Sequence, residues 1–168
     1  MNWVRKAALG GVGCALMVCA FVGCVFAVMA AGKAAPGGRE EIERFNEHYR
    51  ELHLRMDTAG IFALWADDGV DLMPGEAPLA GKKAIQAWVE NILAKMPGYK
   101  VVKQEMEFHD IVVSGDWASE WALEHQVVQP PDGKDPIETW GKMALILHRE
   151  ANGEWRVKQE MSNAAPKK

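Results

Sequence analysis

Cysteine is missing from most of this 168-residue sequence, because Cys14, Cys19 and Cys24 all lie in one apolar segment near the start. The rest of the chain has no thiol for a disulfide or for a thiolate metal site. Its stability therefore has to come from packing.

The sequence also lacks a basic cluster and the motifs of several enzyme classes. A formal net charge of −4 does not suit a nucleic-acid-binding protein, which needs clustered lysine and arginine to neutralise phosphates. There is no HExxH, no glycine-rich phosphate loop and no G-x-S-x-G. We expect no nucleic-acid partner, no metal, no cofactor and no nucleophilic catalysis.

Charged residues are absent between Lys6 and Lys33, where the chain is almost entirely small or apolar. This pattern predicts a signal peptide or N-terminal membrane anchor over residues 1–31, with its apolar part at 7–31. Because basic residues ahead of such a run stay in the cytoplasm, the remainder is expected to be exported, periplasmic or extracellular. Contact with a membrane is expected only through this segment.

Cleavage and anchoring both remain open. Val28-Met29-Ala30 is an acceptable cleavage site, whereas the length of the apolar run favours an uncleaved anchor. Cys24 adds lipidation as a third alternative. After this segment, we expect a linker at 32–39, a single domain at 40–163 and a tail at 164–168.

The first part of the domain has the pattern of three helices. One apolar stripe predicts an amphipathic helix and comprises Ile42, Phe45, Tyr49, Leu52 and Met56. Asp57 and Thr58 are predicted to cap a short second helix that continues through Trp65, and a strand is predicted at 70–73. The third helix is predicted after Gly81 from a stripe comprising Ile85, Trp88, Val89, Ile92, Leu93 and Met96.

From Tyr99 onward the apolar pattern changes to a period of two, which is typical of strands. Four long strands are predicted, at 99–113, 117–128, 137–149 and 155–162, and they are expected to form an antiparallel meander. The predicted fold class is α+β, with a curved antiparallel sheet packed against three N-terminal helices.

Several short segments resemble the SnoaL-like and ketosteroid isomerase-like branch of the nuclear transport factor two-like superfamily. They are Leu64-Trp65-Ala66-Asp67-Asp68-Gly69-Val70, Leu72-Met73-Pro74-Gly75, Gly81-Lys82-Lys83-Ala84-Ile85, Gly115-Asp116-Trp117-Ala118, Gly141-Lys142-Met143 and Gly153-Glu154-Trp155-Arg156-Val157. The resemblance implies a cone-shaped sheet around an apolar pocket, and a homodimer through the outer sheet face. It does not specify a function, because this fold hosts both enzymes and non-catalytic binders.

The resemblance also implies where a ketosteroid isomerase would carry its catalytic groups. Tyr49 matches the tyrosine of the first helix, but Met73 occupies the position of the base and Leu145 that of the acid. Methionine and leucine cannot transfer a proton, which excludes steroid isomerisation by those positions.

Other residues offer an alternative catalytic set. Asp71 lies two residues before Met73 and is therefore expected on the same face of its strand. The odd-numbered residues of the strand at 117–127 are expected to face the pocket, which would bring Tyr49, Asp71 and His125 together for proton transfer. The predicted ligand-binding residues are Met73, Ser119, Trp121, Leu123, Met143 and Leu145.

The expected function is the binding of a small, largely apolar molecule in the cone. One alternative is an isomerase, lyase or hydrolase that uses proton transfer in the same pocket. Another alternative is a non-catalytic dimerisation or accessory domain. Each of these functions is compatible with the fold that the sequence resembles.

Overall fold

A computed structural model describes residues 38–131 and 133–167 of the chain. The predicted signal or anchor segment and most of the predicted linker lie outside the described residues. Among the helices that are described, none combines the length and the apolar character needed to cross a membrane.

The first two helices confirm the predicted order. Helix α1 covers Gly38–Arg55, and its buried face includes the predicted stripe residues from Ile42 to Leu52. Helix α2 covers Thr58–Ala63, and the predicted cap is present because the Asp57 carboxylate accepts a hydrogen bond of 2.9 Å from the Gly60 amide. The prediction that this helix continues through Trp65 is wrong, since Trp65 begins a strand.

The remaining elements are six strands and one helix. In chain order they are β1 (Trp65–Leu72), β2 (Leu79–Ala80), α3 (Lys82–Ala94), β3 (Lys100–Ser114), β4 (Trp117–Gln129), β5 (Ile137–Arg149) and β6 (Trp155–Ala164). The four long strands match their predicted positions closely. The strand predicted at 70–73 is longer than expected and begins five residues earlier.

The six strands form one sheet in the order β2-β1-β6-β5-β4-β3. Strands β3 to β6 form the predicted antiparallel meander, but β1 pairs with β6 in parallel. The prediction of a purely antiparallel sheet is therefore wrong, and the sheet is mixed. Helix α3 and the meander separate β1 from β6 along the chain, which supplies the long connection that parallel pairing requires.

Irregularities in strand pairing curve the sheet. The register shifts twice between β3 and β4, and once between β5 and β6 near Ile146. An extra residue in one strand bends it and increases its twist. The curvature gives the sheet an inner face, which the helices cover, and an outer face, which they leave open.

The core lies between the inner face and the helices. Its buried members include Ile42, Phe45, Tyr49, Leu52, Phe62, Leu64, Trp65, Ile85, Ala118, Ala122, Met143, Leu145, Leu147, Trp155 and Val157. Helix α3 contributes little to this core, because Ile85 is its one buried residue. The rest of its predicted apolar stripe, from Trp88 to Met96, is only half-buried.

Candidate functional site

A cluster of one tyrosine and three carboxylic acids lies between α1 and the inner face of the sheet. The Tyr49 hydroxyl donates a hydrogen bond of 2.8 Å to Glu160 Oε2 on β6. Asp71 on β1 pairs in register with Glu160, and Glu124 on β4 is close enough to act electrostatically on both Tyr49 and Glu160. We call Tyr49, Asp71, Glu124 and Glu160 the acid cluster.

Each member of the acid cluster comes from a different element. Tyr49 lies on the buried face of α1, and Asp71 is 6% exposed on β1. Glu124 fits beside β5 because its register partner there is Gly141. A Cβ atom at position 141 would lie only 3.0 Å from Glu124 Oε2. Glu124 and Glu160 are half-buried, which leaves accessible surface at the cluster.

Burial raises the pKa values of all the groups in the cluster. It raises the pKa of Asp71 to about 6, while the amide of Leu72 acts in the opposite direction. It raises the pKa of Glu160 to about 8, and repulsion from Asp71 adds to this effect. The pKa values of Glu124 and Tyr49 are also raised, with burial as the largest cause. At neutral pH, Glu160 therefore holds a proton while most Asp71 is ionised.

The partners of these acids are neutral. Gln104 Nε2 donates to Glu124 Oε1 over 2.6 Å, and Gln104 Oε1 accepts from Gln126 Nε2 over 2.7 Å. Asp71 Oδ1 is buried and has no hydrogen-bond partner among the residues that the structure describes. Among residues 38–131 and 133–167, no lysine, arginine or histidine forms an ion pair with an acid of the cluster. Within the described residues, a ligand that contacts the cluster therefore meets acidic groups that have no cationic side chain as a partner.

A second buried polar pair lies on the same inner face. Asn46 Nδ2 on α1 donates to Glu120 Oε2 on β4 over 2.7 Å. Burial raises the pKa of Glu120 to about 7, while the bond from Asn46 and the charge of Arg39 oppose the shift. One oxygen of each residue, Asn46 Oδ1 and Glu120 Oε1, is buried without a partner in the described part of the chain.

The structure brings together only two of the three predicted catalytic residues. Tyr49 and Asp71 lie in the acid cluster, but His125 projects from the outer face of the sheet. There it contacts Glu105 Oε2 at 3.2 Å and Glu138 Oε1 at 2.8 Å, and its ring stacks on Trp140 at 3.9 Å. The predicted convergence of His125 with Tyr49 and Asp71 is wrong.

The predicted orientation of β4 is wrong in the same way. Its even-numbered residues face the core, as the burial of Ala118, Glu120 and Ala122 establishes. Ser119, Trp121 and Leu123, which were predicted to bind ligand, therefore lie on the outer face. The Trp121 indole donates to Asp110 Oδ2 over 2.6 Å there.

The other predicted ligand-binding residues lie on the inner side. Met143 and Leu145 are buried in the core, and Leu145 is the register partner of Glu160. Met73 is half-buried immediately after β1. Binding by these residues stays a prediction, because their positions alone do not identify a ligand.

Sequence reasoning missed Glu124, Glu160 and Gln104. Glu124 is even-numbered, and the sequence predicts that the odd-numbered residues of this strand face the pocket. The inward position of Glu160 could not be predicted, because the register between β5 and β6 shifts before it: Val157 pairs with Leu147, but Gln159 pairs with Ile146. This shift moves the inner face of β6 from odd-numbered to even-numbered residues.

In the part of the chain that the structure describes, no group of three histidine, cysteine, aspartate or glutamate residues is arranged to hold a metal ion. The chemistry that the acid cluster can perform without further groups is hydrogen bonding, charge pairing and proton transfer.

The fold is shared by many solved structures, of which three are given as examples. A ketosteroid isomerase-like protein from Erwinia carotovora atroseptica has a TM-score of 0.66 at 18% identity, with 77% of this chain and 97% of that chain covered. A conserved protein from Planctomyces limnophilus has a TM-score of 0.66 at 22% identity, with coverages of 78% and 100%. ActVI-ORFA from Streptomyces coelicolor has a TM-score of 0.65 at 17% identity, with coverages of 77% and 96%.

Family assignment rests on sequence as well as on shape. No functionally curated protein matches the chain. The family model of the SnoaL-like domain matches residues 42–157, which include every member of the acid cluster except Glu160. The chain belongs to the SnoaL-like domain family and has the nuclear transport factor two-like fold of the ketosteroid isomerase-like proteins.

Proposed function

We propose that this domain binds a small molecule on the inner face of its sheet, with the polar end of the molecule at the acid cluster. The observation that carries this proposal is Asp71 Oδ1, a buried oxygen without a partner beside two half-buried acids. Leaving such a group unsatisfied costs about 1–3 kcal/mol. A ligand that hydrogen-bonds to Asp71 would recover part of this cost.

The remainder of the ligand is proposed to be largely apolar. The apolar residues of α3 beyond Ile85 are half-buried, and Met73 is half-buried at the end of β1. Ligand pockets are typically lined by apolar side chains with a few polar groups that fix the orientation. The half-buried stripe of α3 and the acid cluster would supply these two parts.

Mass spectrometry of the purified protein tests this proposal. We expect a small molecule to be released on denaturation of the wild-type protein, and to be depleted in Asp71→Asn. Asp67→Asn is the matched control, because Asp67 is on the same strand and its side chain is 98% exposed. Equal retention by all three proteins would place the molecule elsewhere, and no retained molecule in any of them would count against the proposal.

Proton transfer is a second candidate function for the same site. Asp71, with a pKa of about 6, lies beside Glu160, with a pKa of about 8. Neighbouring groups with separated pKa values are suited to act as base and acid, as an isomerase, lyase or hydrolase step requires. Exchange of a bound ligand's acidic C–H protons in D₂O, lost in Asp71→Asn, would support it.

A homodimer through the outer face is a further proposal. The outer face exposes apolar side chains of considerable size, namely Trp117, Trp121, Ile146 and Met161. A shallow cavity of about 190 Å³ lies there between β4, β5 and β6, with Trp121, Lys142 and Met161 among its lining residues. Exposed apolar patches of this kind mark interaction surfaces. A domain whose sole role is such pairing is the non-catalytic alternative.

Export of the domain is also a proposal, supported by the apolar segment at 7–31 and the basic residues before it. Protease added outside intact cells or spheroplasts should degrade the domain. Degradation only after the cytoplasmic side is opened would contradict export. The N-terminal sequence of the recovered protein would then distinguish cleavage near Ala31 from an intact anchor.

A further inference from the structure

We propose that the polar end of the ligand is an ammonium group, so that the molecule recognised is an apolar amine. This inference rests on the proposed binding site and specifies its ligand class. It starts from the balance of donors and acceptors in the acid cluster. Asp71, Glu124 and Glu160 bring six carboxyl oxygens, while Tyr49 and Gln104 are the only described residues whose side chains donate hydrogen bonds to them.

The neutral groups around the cluster are already engaged. Gln104 uses its amide nitrogen on Glu124 and its amide oxygen on Gln126. The Tyr49 hydroxyl uses its single hydrogen on Glu160. Ligand acceptors would therefore find no free donor on Gln104 or Tyr49 and would have to use the proton of Glu160. Ligand donors would find Asp71 Oδ1, which is buried and has no partner among the described residues.

The acid cluster itself carries charge of one sign only. The titratable groups that face the cluster are Tyr49 and His53 from α1, Asp71 from β1, Glu124 from β4 and Glu160 from β6. His53 is the one basic group among these five, and burial lowers its pKa, although the hydrogen bond of 2.8 Å between its Nδ1 and the Tyr49 carbonyl oxygen opposes this shift. Glu120, also on the inner face of β4, adds another acid.

These groups discriminate between ligand classes. A carboxylate ligand would be repelled by ionised Asp71 and would have to enter without a compensating cation. A neutral alcohol brings one hydrogen, whereas a primary ammonium brings three hydrogens and a positive charge. Hydrogen bonds between charged partners are about twice as strong as those between neutral ones.

Binding of an ammonium ion is coupled to proton release. Glu160 holds a proton at neutral pH, and the arriving cation stabilises its carboxylate form, so that the proton passes to solvent. The affinity for an alkylammonium ion should therefore rise as the pH increases from about 5 to about 8. The amine itself stays protonated over this range, because alkylamines titrate near pH 10 like the lysine side chain.

The test uses three probes of equal length, hexylammonium, 1-hexanol and hexanoate, with protein purified from cells that express the full chain. Calorimetry or ligand-observed NMR at pH 7.5 should give an affinity for hexylammonium at least about tenfold above that for hexanol, with no binding of hexanoate. Raising the pH from 5 to 8 should strengthen the binding of hexylammonium and leave that of hexanol unchanged.

Substitutions in the acid cluster test whether its carboxyl groups cause the preference for hexylammonium. Asp71→Asn and Glu160→Gln preserve size and should each reduce the preference for hexylammonium over hexanol about tenfold, whereas Asp67→Asn should leave it within about twofold. Equal or tighter binding of hexanol, or weaker binding of hexylammonium at higher pH, would overturn the amine assignment alone. If none of the three probes binds, the proposed binding function fails together with it.

Discussion

The Tyr49 hydroxyl donates a 2.8 Å hydrogen bond to Glu160 Oε2 and thereby joins α1 to β6 across the core. Tyr49→Phe removes this bond and leaves the Glu160 carboxyl without its tyrosine partner. We expect the free energy of unfolding at pH 7 to fall by about 1–3 kcal/mol. Urea denaturation followed by tryptophan fluorescence measures the change.

The chain offers a matched control, because Tyr99 is its other tyrosine. Tyr99 is half-buried in the short segment before β3. Tyr99→Phe should change the free energy of unfolding by no more than about 0.5 kcal/mol. Similar losses in both variants would mean that the Tyr49–Glu160 bond makes no specific contribution.

Glu160 makes the stability of the domain depend on pH in a defined direction. Its pKa is raised from 4.5 to about 8 in the folded state, chiefly by burial. Between these values the folded protein binds more protons than the unfolded chain, and the free energy of unfolding therefore falls as the pH rises. One group contributes a slope of at most about 1.4 kcal/mol per pH unit. Asp71 adds a smaller effect of the same sign below about pH 6.

Denaturation of the wild-type protein at pH 5, 6, 7 and 8 measures this slope. Glu160→Gln removes the titrating group and should flatten the decline, with the largest gain in stability relative to wild type at pH 8. Glu76→Gln, in the exposed turn after β1, serves as the control and should keep the wild-type slope. A slope that is unchanged in Glu160→Gln would mean that other groups set the pH dependence.

Element positions were predictable from the sequence because apolar periodicity and turn residues are local signals. Strand β5 has the predicted bounds, and the Asp57 cap is present as expected. The parallel pairing of β1 with β6 was not predictable in this way, since no local sequence signal indicates that Val70 pairs with Gln159, a residue far away in the chain. Pairing between distant strands is set by tertiary packing.

The candidate site was only partly predictable, and β4 shows the reason. Its tryptophans have odd numbers and its glutamates have even numbers, so the two residue types lie on opposite faces of the strand. The hydrophobic pattern predicts that the tryptophans face the core. The structure has the opposite phase because distant side chains satisfy the acids. Asn46 donates to Glu120 and Gln104 donates to Glu124, while Trp121 stacks on His109 outside. These partners lie 74 and 20 residues away from the glutamates, beyond any local pattern.

The cap of α2 allows a separate test of local structure. Asp57 accepts from the Gly60 amide over 2.9 Å, at the start of a helix of only six residues. Asp57→Ala should lower the free energy of unfolding by about 1 kcal/mol, whereas Asp57→Asn should retain most of it, because asparagine is an equally good N-cap. Equal losses in both variants would indicate a role for the charge rather than for the cap.

The outer face provides the test of the proposed homodimer. Trp121 is 39% exposed in the middle of this face, and a lysine there would place a charge in a buried apolar interface. We expect analytical ultracentrifugation to find a dimer for the wild type and a monomer for Trp121→Lys. Leu54→Lys is the control, because Leu54 is similarly exposed, at 37%, but lies on α1 on the opposite side of the sheet. A monomeric wild type, or dissociation by Leu54→Lys but not by Trp121→Lys, would rule out pairing through the outer face.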